Sequence, residues 1–95
     1  MAKNRDYLAA VSYLGCVVCR NLGYGDTPAN VHHIRLGQGA SQRASDYLVI
    51  PLCATHHQHG GYGVAIHAGQ EAWEALYGSE LELLAQTIGE VFKCK

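Results

Sequence analysis

The stretch Val31-His32-His33-Ile34 sets two consecutive histidines on a short apolar segment, and the rest of the chain's chemistry flanks it. A Cys-x-x-Cys pair, Cys16 and Cys19, precedes it; Cys53, His56, His57, His59 and His67 follow. Val31–Ile34 reads as a short strand. Successive side chains of a strand point to opposite faces, so His32 and His33 cannot serve one ion equivalently. A division of labour follows, in which one imidazole binds a metal and the other faces a substrate and activates water.

Working outward, Cys16 and Cys19 have the spacing of a zinc knuckle, and Cys53 with His56 repeats it. Together they make a Cys₃His set, a closed tetrahedral donor set whose soft thiolates select zinc over magnesium or calcium. The surroundings of Cys16 and Cys19 lack a thioredoxin-like strand and helix pattern, which argues against a redox disulfide. Cys94 stands alone near the C-terminus.

The remaining histidines need a second explanation. On a straight helix His57 and His67 would be about 15 Å apart, too far to share an ion. Gly60-Gly61-Tyr62-Gly63 between them allows the chain to fold back. His59 competes for the same place, but two residues from His57 it falls on a different helix face, which favours His67.

Ninety-five residues make one small domain, of the size that often needs a metal or disulfide staple. The first residues lead into no apolar block, and no apolar run is long enough to span a membrane. An intracellular, cytoplasmic protein with reduced thiols is expected. The net charge of -1 conceals an asymmetry. Residues 1–45 carry five Lys/Arg against two Asp/Glu (+3), and residues 46–95 carry two against six (-4). Arg20, Arg35 and Arg43 belong to the basic half and flank the double histidine, which suits a nucleic-acid face.

Local patterns supply the other elements. Asp6 to Leu14 reads as a helix capped by Asp6 and ended by Gly15. Asn21–Asn30, with Gly23, Gly25 and Pro28, reads as a loop, and Arg35–Ser45 as an exposed connection. Asp46–Leu52 reads as a second strand in which Pro51 marks the end or an edge, and Cys53–His59 as the opening turn of a helix. Gln70–Tyr77 reads as a helix with Trp73, Leu76 and Tyr77 on one side. Ser79 and Glu82 form a capping box for a last helix whose apolar stripe runs Leu81, Leu84, Ile88, Val91. Both C-terminal helices are expected to pack the core and carry no chemistry.

Taken together, the Cys16/Cys19 knuckle, His32-His33-Ile34 and Leu52-Cys53-x-x-His56-His57 resemble the HNH, or His-Me finger, endonucleases. Val31–Arg35, Arg43–Asp46, Ile50–Cys53 and Gly63–Gly69 narrow the likeness to the phage RecA-dependent nucleases of recombination enhancement, the Ref proteins, from about Tyr13 to Gly78. The resemblance implies an α+β fold, a zinc-stapled ββα-metal finger over about residues 13–69 with flanking helices, those at 70–93 closing a single domain of residues 1–95. It implies His32, His57 and His67 as ligands of a catalytic divalent ion (Mg²⁺, Mn²⁺ or Zn²⁺), and His33 as the general base. Asp46 stands where the family has its middle Asn and would orient His33. Structural Zn²⁺ would sit on Cys16, Cys19, Cys53 and His56, and Arg35 and Arg43 would contact DNA phosphates. DNA is then the expected partner and a recombinase filament a candidate one. The competing readings are a non-catalytic zinc module that binds DNA or protein, which leaves His32, His33, His57 and His67 without work, and a phage nuclease directed to DNA junctions.

Overall fold

The computed structural model describes residues 2–34 and 46–93, with side chains from Arg5 onward. Arg35, Arg43 and Cys94 lie outside the described residues, as does most of the connection between the strands. The architecture is a small α+β arrangement: α1 (Ala2–Tyr13), α2 (Val17–Asn21), β1 (Asn30–His33), β2 (Val49–Leu52), a π-helical turn (Thr55–His59), a 3₁₀ turn (Ile66–Ala68), α3 (Gln70–Tyr77) and α4 (Glu80–Lys93).

The two strands pair antiparallel, with Asn30 opposite Leu52, Val31 opposite Pro51, His32 opposite Ile50 and His33 opposite Val49. Ile34 N–H donates to Leu48 O at 2.8 Å and continues the ladder. An isolated hairpin is marginal in water, and this one is held because helices cover it. Every residue of β2 is buried, with α1, α2 and α4 all packed against the strand. Pro51 is tolerated because each strand of a two-stranded sheet is an edge. The core joins Val17, Val18, Ile34, Ile50, Leu52, Trp73 and Leu83 around the cysteines. Each large side chain so buried contributes about 1.5–3 kcal/mol.

Polar ties set the helices around the hairpin. Ser12 Oγ donates to Ala29 O at 2.7 Å and Cys16 N–H to Thr27 O at 2.9 Å, fixing the loop ahead of β1. Arg20 Nη1 meets Glu90 Oε2 at 2.9 Å, and the Asn21 and Gln86 amides exchange hydrogen bonds of 3.0 and 2.8 Å. Both links tie α2 to α4.

Several expectations are corrected. The first helix begins at Ala2, so Asp6 lies inside it and is no cap. The first strand runs one residue early, and the second begins at Val49, with Asp46–Leu48 forming a turn that brings the chain into it. Leu76 and Leu81 are 65% and 55% exposed. In α4 the buried residues are Glu80, Leu83, Leu84 and Thr87, with Ile88 packed against the core, so Leu84 and Ile88 face inward as read while Leu81 does not. The capping box forms as read: Ser79 N–H donates to Glu82 Oε1 at 3.0 Å and Glu82 N–H to Ser79 Oγ at 3.1 Å.

Candidate metal and catalytic site

Two clusters of metal-type donors form among the described residues, Cys16, Cys19, Cys53 and His56 in one and His32, His57 and His67 in the other. In each, the donor atoms lie within 4.8 Å of one another.

The first cluster is buried throughout. Cys16 opens α2 as its N-cap, and its sulfur accepts the Cys19 N–H at 3.5 Å, so the knuckle is closed by its own backbone. Cys53 leaves β2 and His56 sits in the π-helical turn, which carries both across to the knuckle. Cys19 Sγ lies 3.8 Å from Cys53 Sγ, and His56 Nδ1 lies 3.7, 3.6 and 3.2 Å from the sulfurs of Cys16, Cys19 and Cys53. A tetrahedral zinc with ordinary bond lengths has edges of about 3.8 Å between sulfurs and about 3.5 Å from sulfur to nitrogen. The residues therefore fit a structural metal such as zinc.

Protonation agrees with the need for a cation. Burial pushes the Cys16 thiol up to about 12, with the neighbouring Cys53 and Cys19 sulfurs adding to the rise and hydrogen bonds opposing it. Cys53 is also raised by burial, but hydrogen bonds from the His56 backbone, Cys16, Cys19 and the Thr55 backbone outweigh that and hold it below the usual thiol range. Burial lowers His56, keeping the imidazole neutral and able to donate a lone pair. A cation binding here displaces the remaining thiol protons.

The second cluster brings together three separate elements. His32 comes from β1 and is buried; His57 comes from the π-helical turn and His67 from the 3₁₀ turn. The His57 and His67 Nε2 atoms meet at 2.9 Å, with both rings edge-on to His32 at centroid distances of 5.1 and 5.3 Å. Gly60–Gly63 makes this possible. Gly61 and Gly63 take φ of +83° and +84°, and a Cβ on Gly60 would meet Val64 Cγ1 at 2.5 Å and the Thr55 carbonyl at 2.6 Å. The chain thus reverses where a side chain would block it. Burial, then the charges of His32 and His67, lowers His57 to about 4, so it presents a neutral ring at neutral pH. Donors around an ion with bonds of about 2.1 Å stand about 3.0–3.4 Å apart, which the 2.9 Å approach nearly matches. His59 is exposed and has no part in either cluster.

His33 faces the other way. Its Nε2 pairs with Asp46 Oδ1 at 2.9 Å, and both side chains are about one-third exposed, at 35% and 34%. With Nε2–H donated to the carboxylate, Nδ1 keeps its lone pair. Asp46 reaches His33 from the turn before β2. The two histidines of the pair thus enter different networks, one buried and the other open to solvent.

Glu80 was missed. Its Oε2 lies 2.7 Å from His32 Nε2, although α4 read as a packing helix without chemistry. A glutamate in a helix's first turn has a sufficient local explanation in the helix dipole, so nothing in the sequence pointed further.

Over residues 1–91 the chain matches the family of recombination-enhancement, RecA-dependent nucleases. It belongs to that family. No curated protein matches the chain. No described helix is long and apolar enough to cross a membrane.

Proposed function

We propose that this protein is a metal-dependent DNA endonuclease of the HNH type, hydrolysing phosphodiester bonds in a phage or prophage recombination setting. In this reading β1, β2 and the π-helical turn form a ββα-metal finger that zinc on Cys16, Cys19, Cys53 and His56 staples together. The observation that carries the proposal is the split of the histidine pair: His32 joins His57 and His67, while His33 joins Asp46.

His32, His57 and His67 would hold a divalent ion, which would supply charge stabilisation for the scissile phosphate and the departing 3′ oxygen. The chain's own residues do the rest. Asp46 accepts the Nε2–H of His33 and fixes the ring, so that Nδ1 takes a proton from the attacking water. The water oxygen bonds to phosphorus, the bond to the 3′ oxygen breaks, and that oxygen is protonated from solvent. A 5′-phosphate and a 3′-hydroxyl result. His33, His57 and His67 lie on accessible surface, whereas a cavity of about 430 Å³ borders Cys19, Cys53 and His56. An open site suits a polymeric substrate laid across it. Arg35 and Arg43, in the connection between the strands, are proposed as phosphate contacts that make binding salt-sensitive. A recombinase filament is proposed as the partner that presents DNA.

The test is nicking of supercoiled plasmid with and without added Mg²⁺ or Mn²⁺, by wild type and a His33→Ala variant. Metal-dependent nicking lost in the variant supports the proposal; absence of nicking by wild type, with or without a recombinase filament, counts against it.

A further inference from the structure

Glu80 is buried to 9% exposure and His32 to 7%, and their 2.7 Å contact joins residues 48 apart in the chain. A carboxylate taken out of water is costly unless it is hydrogen-bonded. Here both oxygens are engaged: Oε2 with His32 Nε2 and Oε1 with Gln70 Nε2 at 3.2 Å. The Glu80 backbone is fixed as well, its N–H donating to Glu74 Oε2 at 2.7 Å. Capping of α4 falls to Ser79 and Glu82, so the Glu80 side chain is not spent on the helix end.

We infer that Glu80 is a positioning residue, whose carboxylate holds the His32 ring by its Nε2–H and so turns the Nδ1 lone pair toward His57 and His67. The inference rests on the metal-site reading above. A carboxylate only accepts, so the ring proton lies on Nε2 and the free lone pair on Nδ1. The set of mutually close donors comprises His32, His57 and His67 without Glu80, although Glu80 touches His32. The carboxylate therefore lies outside the set that the three imidazoles form, although it touches one of its members. Such a partner fixes both tautomer and orientation of a metal-binding imidazole, and its loss typically costs 10–100-fold in affinity. Through Gln70, Glu74 and Glu80, helices α3 and α4 reach the site that the strand and turns assemble.

The test uses the full chain, ¹⁵N-labelled and zinc-loaded at the cysteine cluster, with Co²⁺ as the probe of the histidine cluster. Before Co²⁺ is added, long-range ¹H–¹⁵N spectra should show His32 protonated at Nε2. Glu80→Ala should lose that tautomer preference and bind Co²⁺ about 10–100-fold more weakly, with zinc at the cysteine cluster retained. Glu80→Gln keeps an acceptor and should keep the tautomer, with a smaller loss. If Glu80→Ala does not fold, the wild-type tautomer and the several-fold loss in Glu80→Gln carry the test. An Nδ1–H tautomer in wild type overturns the inference, as does unchanged Co²⁺ affinity in the variants when wild type binds at the histidines. Failure of wild type to bind there at all removes the metal-site reading, and the role of Glu80 with it.

Discussion

His57 and His67 are ten residues apart in the chain, yet their Nε2 atoms meet at 2.9 Å. Two imidazoles gain little from facing each other nitrogen to nitrogen, beyond one hydrogen bond. A third imidazole, His32, with a donor atom within 4.8 Å of both, makes the arrangement intelligible as a ligand set.

Metal stoichiometry follows directly. Wild type should hold one ion in each of the two clusters. His57→Ala/His67→Ala should lose the ion of the histidine cluster and keep the other, as read by elemental analysis after dialysis. An unchanged metal content in that variant would place the second ion elsewhere.

Removing a metal held by Cys16, Cys19, Cys53 and His56 should unfold the domain. Structural zinc contributes on the order of 10 kcal/mol in small zinc-folded peptides, comparable to the whole stability of a small domain at about 5–15 kcal/mol. Cys53→Ala, or treatment of wild type with a strong chelator, should abolish the cooperative thermal transition seen by circular dichroism. A retained transition would mean that the hydrophobic core suffices without the staple.

The Arg20–Glu90 pair should make part of the stability depend on pH. Burial pushes the Glu90 carboxyl up, but hydrogen bonds from Arg20 and Gln86 and the charges of Arg20 and Lys93 outweigh it and hold it below its usual value. A group depressed in the folded state stabilises above its unfolded pKa, and that stability is lost as pH falls through the folded value. Wild type should therefore exceed Glu90→Gln by at most about 1 kcal/mol near neutrality, and the gap should close as pH falls below the ordinary glutamate range. A gap independent of pH would assign the effect to packing.

What could be read in advance depended on how local its cause was. The Cys₃His set was legible because each half is a spacing of three residues, Cys16 to Cys19 and Cys53 to His56. The meeting of His57 and His67 was legible through the glycines between them, which allow the chain to reverse. The start of the second strand was misread because Asp46 and Tyr47 lie beside Leu48 and Val49 in an apolar-looking run, while the turn at 46–48 depends on where the strands pair. Glu80 was invisible for the same reason in stronger form. Its partner is 48 residues away, and Ser79 and Glu82 already explain an acidic first turn.

Asp46 should affect nicking through its contact with His33. Asp46→Asn still offers an oxygen to the ring, so its nicking rate should fall less than that of Asp46→Ala, with metal content equal in both. A loss of bound metal in either variant would instead tie Asp46 to the ligand set.

The separation of His32 from His33 is tested most directly by measuring plasmid nicking and bound metal together in His33→Ala. Loss of a general base should lower the rate by about 10²–10⁴-fold while both clusters keep their metal. Cleavage at the wild-type rate, or loss of the histidine-bound ion, would contradict the assignment of His33 as the base.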